Sequence, residues 1–245
     1  LVRYGDNPRI ARLDGKALIS TWGWQPYYAD IPRMRDELAA EGLHFTWIPT
    51  TTRSFPGSLP YQSADGTNCW YRDQYPEGIE SNLRNAEKVG NGFLIQGTIR
   101  AGYDNGQRIF THDVTPYRGM KTLLESLNAG LDAGLRELIL VTWNDISETA
   151  AFPSWASPYG IQEIMKYYRS LYAGKPPRNA EAQIVVAYPP DLLLGDNCEI
   201  QLLLLAGTND GADQWQGRIR LEDSHGQTVW EQSVSLQATD DRRPR

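Results

Sequence analysis

Asp145 and Glu148 stand three residues apart in the run Val141-Thr142-Trp143-Asn144-Asp145-Ile146-Ser147-Glu148-Thr149. Two carboxyl groups held close together can divide the cleavage of a glycosidic bond, one protonating the leaving oxygen while the other serves water or the sugar. Trp143 would offer an apolar platform to a sugar ring, and Asn144 could donate to a hydroxyl. The same residues have a plainer reading. Asp145 can cap a helix that begins near Ser147, with Glu148 in a first turn where negative charge is favoured in any case. Spacing leaves both readings open.

The element that must position the pair is Leu138-Ile139-Leu140-Val141, a short apolar run without polar alternation, as expected of a parallel strand covered on both faces. The acids would then lie at its carboxyl end, where barrels of alternating strands and helices keep their chemistry. Upstream, Ala17 to Trp22, His44 to Pro49 and Gly92 to Ile99 read as further strands. Helices are predicted over Ile31 to Glu41, with Met34, Leu38 and Ala39 on one face and Gly42 as its stop, and over Glu77 to Val89. Others are predicted from Pro116 to Ala133, with Pro near the start and Gly134 past the end, and over Ile161 to Tyr172. Strands alternating with helices imply a mostly parallel sheet with helices outside.

Trp143 to Thr149 resembles the Trp-Asn-Asp-aromatic-Gly-Glu-Ser signature of glycoside hydrolase family 71, the α-1,3-glucanases. It is also similar to the Trp-Asn-Glu-Trp-x-Glu motif of the family 99 endo-mannosidases and endo-mannanases. A second stretch, Asp14-Gly15-Lys16-Ala17-Leu18-Ile19-Ser20-Thr21-Trp22, resembles the Asp-Gly-Lys-Pro-Val-Val-Ser-Thr-Phe strand of family 71. The resemblance covers about residues 4 to 172 and implies a (β/α)8 barrel that cuts an α-linked polysaccharide. It implies Glu148 as general acid and Asp145 as general base or substrate-assisting group. Ile146 in place of an aromatic, Ser147 in place of Gly, and Thr149-Ala150 in place of Ser-His or Gly-Thr imply a remodelled subsite beside the acids.

Other side chains could complete a glycan site. Trp22 and Trp24 flank Gly23 just past the first strand, where a Trp-Gly-Trp suits a sugar platform; packing of one Trp in the core is the alternative. The stretch from Thr50 to Asp73 is too long for a simple connection. Within it Trp70 and Tyr71, with Arg72 and Asp73, could line a groove or fold the loop back on the barrel. Tyr103 and Asp104 occupy the rim position after the Gly92 to Ile99 strand, although Asn105-Gly106 makes Asp104 a turn residue first. Trp155 and Tyr159 could close the far side. His112 and Asp113 belong to no triad, because no Gly-x-Ser-x-Gly elbow is present.

Composition narrows the partners. A net charge of −6 and the lack of a basic stripe argue against nucleic acid. No apolar run reaches the roughly 20 residues of a membrane span, and the first residues do not read as a signal peptide. Eight Trp and thirteen Tyr favour a carbohydrate partner, although aromatics also fill cores. The three His and two Cys show no zinc spacing, and Cys69 and Cys198 fall in different predicted domains, so neither a metal, a cofactor nor a disulfide framework is expected. A polysaccharide-degrading role carries with it a secreted or periplasmic location.

About four strands of the barrel series are visible, whereas closure requires eight. The fold expected is α/β, and the resemblance implies that residues 1–173 are the later half of a (β/α)8 barrel, N-terminally incomplete. Either a missing N-terminal segment or a second chain completes it, or the sheet is a smaller open one. Residues 174–181, rich in Pro, read as a linker. Over 182–245, Ala182 to Tyr188, Cys198 to Ala206, Gln216 to Glu222 and Thr228 to Leu236 read as strands of a small antiparallel β-sandwich, between turn-forming Pro-Pro, Asn-Asp-Gly and His-Gly.

Overall fold

The structure, a computed structural model, describes residues 7–21, 30–50, 63–68, 84, 92–104, 114–115, 118–141, 158–175, 181–188, 195, 197–207 and 214–237. In chain order the elements are β1 (Arg12–Leu13), β2 (Lys16–Thr21), α1 (Ile31–Ala40), β3 (Phe45–Pro49), β4 (Gly66–Asn68), β5 (Leu94–Ile99), β6 (Tyr103–Asp104) and β7 (Val114–Thr115). They continue with α2 (Lys121–Asp132), β8 (Glu137–Leu140), α3 (Pro158–Tyr172), β9 (Gln183–Ala187), β10 (Gln201–Leu205), β11 (Gln214–Glu222) and β12 (Thr228–Gln237). The chain divides into two compact units, Leu1–Ile99 with Ala129–Leu140, and Arg100–Asn128 with Val141–Arg245.

The first unit is built on parallel strands. A turn at Asp14 and Gly15, both at positive φ, folds β1 antiparallel onto β2. β2 pairs in parallel with β3, from Ala17 opposite Phe45 to Thr21 opposite Pro49. A parallel bridge between Thr50 and Asn68 carries the pattern to β4, and β4, β5 and β8 then pair in parallel in that order. Five parallel strands are therefore present, one more than the sequence pattern suggested. The extra strand, β4, lies inside the stretch read as a long loop. Asp65 seats it: its N–H donates to the Trp47 carbonyl at 3.0 Å, and its carboxylate accepts from the Trp47 N–H at 2.7 Å. Gly66 is required because a Cβ there would meet the Leu94 carbonyl oxygen at 2.5 Å.

Alternation along these strands sorts two faces. Ala17 and Ile19 of β2 and Phe45 and Trp47 of β3 pack with Ile31 and Leu38 of α1 and with Ile10 and Ala64. Ile95 of β5 packs with Ala129, Leu135 and Leu138, and Gly97 leaves room for the two leucines. The intervening residues Leu18, Ser20, Thr46, Ile48, Asn68, Gln96 and Thr98 form the other face. Two expectations need correction here. Met34 is 37% exposed, and α1 instead presents Ile31, Arg35 and Leu38 to the sheet, with the Arg35 guanidinium 5.1 Å from the centre of the Phe45 ring. β8 is the last strand of the sheet among the described residues, so Leu140 is 45% exposed rather than covered on both sides.

In the second unit β6 and β7 form a short antiparallel pair. α2, counted in this unit through Asn128, begins at Lys121 rather than Pro116. Arg118 and Gly119 adopt φ of 48° and 64°, which a right-handed helix cannot contain. Its first turn is capped from a distance: Gln201 of β10 accepts from the Met120 N–H at 2.8 Å and donates to the Arg118 carbonyl at 2.9 Å. α3 buries Ile164, Tyr167 and Tyr168, the last donating its hydroxyl to Asn128 at 2.8 Å, while Tyr172 donates to the Leu127 carbonyl at 2.7 Å. The four C-terminal strands occur where expected, paired as two antiparallel ribbons, β9 with β10 and β11 with β12. Among the described residues no helix is long and apolar enough to cross a membrane.

Candidate active site

Asp145, Glu148, Trp143, Asn144, Trp22, Trp24, Trp70, Tyr71, Trp155 and Tyr159's side chain lie outside the described residues, as do Arg72, Asp73 and the predicted helix over Glu77 to Val89 apart from Arg84. Tyr103 and Asp104 form β6, opposite Thr115 and Val114; of their positions only the backbone is described. What the structure provides is the framework from which these residues leave. β2 ends at Thr21, directly before Trp22; β4 ends at Asn68, two residues before Trp70; β8 ends at Leu140, three residues before Trp143. Because β2, β4 and β8 run in one direction, all three exits lie at one edge of the sheet, its carboxyl edge.

Just inside that edge is a hydrogen-bonded array that the sequence reading missed. The Ser20 hydroxyl of β2 donates to Gln96 Oε1 of β5 at 2.9 Å, and Asn68 Nδ2 of β4 donates to the same oxygen at 3.0 Å. The Thr98 hydroxyl donates to Asn68 Oδ1 at 2.9 Å. Asn68, Gln96 and Thr98 are 2–3% exposed. Burying amides and hydroxyls is costly unless they are paired, and here strand register brings them together, since Asn68 lies opposite Gln96. A signal for this was present in the chain: Leu94-Ile95-Gln96-Gly97-Thr98-Ile99 alternates polar with apolar, which marks a strand with one polar face.

A second set of contacts fixes the strand ends. The Trp47 indole, 1% exposed, donates from Nε1 to the Thr21 hydroxyl at 3.0 Å, and the Thr50 N–H donates to the Thr21 carbonyl at 2.7 Å. The residue that leads into Trp22 is thus held by both its side chain and its backbone. Arg35 of α1 clamps the neighbouring turn, donating to Asp65 Oδ2 at 2.5 Å and Oδ1 at 3.3 Å. Glu137 stands opposite Gln96 in the β5–β8 ladder, and therefore on the same polar face; burial pushes its carboxyl above the usual range. Arg100, immediately after β5, is 1% exposed. Among the described residues no group of three or more His, Cys, Asp or Glu is arranged to hold a metal.

No family model matches the chain, and no curated protein matches it. Among solved structures it is similar to the GH99 endo-α-mannosidase from Bacteroides thetaiotaomicron in complex with bis-tris propane. That match has 18% identity and a TM-score of 0.48 over 61% of this chain and 51% of that chain. A second structure of the GH99 endo-α-mannosidase from the same organism matches at 17% identity and a TM-score of 0.47, over 60% of this chain and 48% of that chain. The chain spans about half the length of the structures it matches.

Proposed function

We propose that this chain carries the catalytic edge of a glycoside hydrolase acting on an α-linked polysaccharide, of α-1,3-glucan type. Glu148 is the general acid and Asp145 the general base or substrate-assisting group. Trp143 and Asn144, with Trp22, Trp24, Trp70, Tyr71 and Trp155, contact sugar. Tyr103 and Asp104 extend the same site. One observation supports the reading: of the two stretches that resemble glycoside hydrolase motifs, Asp14 to Trp22 contains strand β2 and Trp143 to Thr149 begins three residues after strand β8, and β2 and β8 run parallel. The carboxyl edge of parallel strands is where a barrel of this kind performs its chemistry.

The endo-α-mannosidase type is the second reading, because the Trp-Asn-acid-x-x-Glu spacing of Trp143 to Glu148 fits the family 99 motif as well as that of family 71. Purified protein incubated with α-glucan and α-mannan oligosaccharides discriminates the two by which substrate yields new reducing ends. A chain that retains a glycan on an affinity gel yet releases none is a carbohydrate-binding module instead. Product anomer analysis then separates an inverting pair of carboxyls, roughly 6.5–9.5 Å apart, from a retaining one.

A further inference from the structure

We infer that the C-terminal ribbons form a second glycan-binding site, an uncharged groove that holds a neutral polysaccharide chain. The choice of ligand rests on the hydrolase reading, whereas the groove rests on the ribbons alone. β11 and β12 pair from Trp215 opposite Leu236 to Leu221 opposite Trp230, and alternation sends their side chains to two unlike faces. One face carries the ion pairs Arg218–Glu231 at 3.3 Å and Arg220–Glu222 at 3.2 Å. The other carries Trp215, Ile219, Leu221, Trp230, Val234 and Leu236, with Gln232 among them. Residues of this second face, together with Ile200 and Leu202 from the β10 side, line an open groove of about 860 Å³. No Asp, Glu, Lys or Arg stands among its described lining residues.

Apolar surface is concentrated around this groove. Of the seven large apolar side chains exposed among the described residues, Val186, Tyr188, Leu221, Val229 and Trp230 belong to or adjoin the ribbons. Such clustering marks a binding surface. The groove has the size of a small-ligand site and the usual mixture of an apolar lining with a few polar groups. Its lack of charge suits a neutral glycan and offers nothing to an acidic or basic peptide. Trp230, 40% exposed, presents an aromatic ring at the groove. On the same face a Cβ on Gly217 would overlap the indole of Trp215, so that ring lies along the strand. The two indoles stand about 20 Å apart along the ribbon, six residues at the rise of a strand, a span of several sugar units. Gln232 lies between them opposite Ile219, and its amide both donates to and accepts from a hydroxyl. Apolar rings for the C–H faces of sugars, with an amide between them for a hydroxyl, are the chemistry of a polysaccharide platform.

The test measures retention of the full chain on immobilised α-1,3-glucan and, in parallel, α-mannan, with Glu148→Gln as the parent so that cleavage does not consume the support. Trp230→Ala and Gln232→Leu, each added to the parent, should weaken retention by about tenfold. Arg218→Ala, on the charged face, should be retained like the parent. Unchanged retention of both groove variants overturns the inference and leaves the hydrolase reading intact, as does a parent that neither support retains although the native chain cuts one of them. Should the native chain cut no glycan while the groove variants still lose retention, the hydrolase reading falls and the groove stands. A dimer in sedimentation velocity that Trp230→Ala dissolves, with no glycan retained, gives the face to a second copy of the chain and overturns the inference. Gln232→Leu decides the matter if Trp230→Ala fails to fold.

Discussion

Ser20 and Gln96, 76 residues apart in the chain, are joined by a 2.9 Å hydrogen bond that ties β2 to β5 across the polar face of the sheet. Asn68 completes the tie from β4. Replacing Asn68 with Ala removes its bonds to Gln96 and Thr98, leaving Gln96 Oε1 with Ser20 alone and the buried Thr98 hydroxyl without this acceptor. The expected loss of stability is about 1–3 kcal/mol, read as a lower urea midpoint. Ser20→Ala should cost less, about 1 kcal/mol, because Gln96 keeps its bond from Asn68. Equal midpoints for native chain and Asn68→Ala would show that the array is energetically idle.

Asp65 binds two partners at once, the Trp47 N–H and the Arg35 guanidinium. Asp65→Ala should lower stability by about 1–3 kcal/mol. Asp65→Asn retains an acceptor for the Trp47 N–H and should recover part of that loss. If Asn is no better than Ala in thermal unfolding, the ion pair with Arg35 carries the whole effect.

Two glycines in the sheet give a graded test of close packing. At Gly66 a Cβ would press on the Leu94 backbone, which cannot move alone; at Gly97 it would meet the ends of Leu135 and Leu138, each at 2.8 Å. Gly97→Ala should cost about 1–3 kcal/mol as the leucines repack, and Gly66→Ala more, since β4 must separate from β5. The reverse order in denaturant unfolding would contradict this placement of β4.

Glu137 predicts a pH dependence. Its carboxyl titrates above the ordinary value of 4.5 in the folded chain because burial disfavours the charged form. Its contribution to stability is therefore full below pH 4.5 and is lost as pH rises through the folded value. Glu137→Gln should raise Tm relative to the native chain at pH 7 and leave it unchanged at pH 4. A variant that gains at neither pH would show that Glu137 is well solvated.

Much of this framework is legible in the chain because hydrophobic period and turn chemistry act locally. Gly42 after α1, the apolar run of β3 and the alternation in β5 and β11 each announce their element. What was missed depends on partners distant in sequence. Gly66-Thr67-Asn68 is too short and too polar to declare a strand; it becomes one through Asp65 on Trp47 and the bridge from Thr50 to Asn68. The start of α2 is set by Gln201, some 80 residues on, and not by Pro116. At the candidate site the motifs supply Asp145 and Glu148, whereas Ser20, Asn68 and Gln96 are united only by register between strands. Residues 142–157, which hold both acids, lie outside the described residues, so their roles rest on the sequence motif and on the strand that precedes it.

The proposed hydrolase is tested most directly by Glu148→Gln assayed on two substrates, the cleaved oligosaccharide and an aryl α-glycoside whose phenolate leaves without protonation. With Glu148 as general acid, hydrolysis of the oligosaccharide should fall by about 10²–10⁴-fold while release of the phenolate is largely retained. Native rates on both substrates would contradict the assignment of Glu148, and with it the catalytic reading of the Trp143 to Thr149 segment.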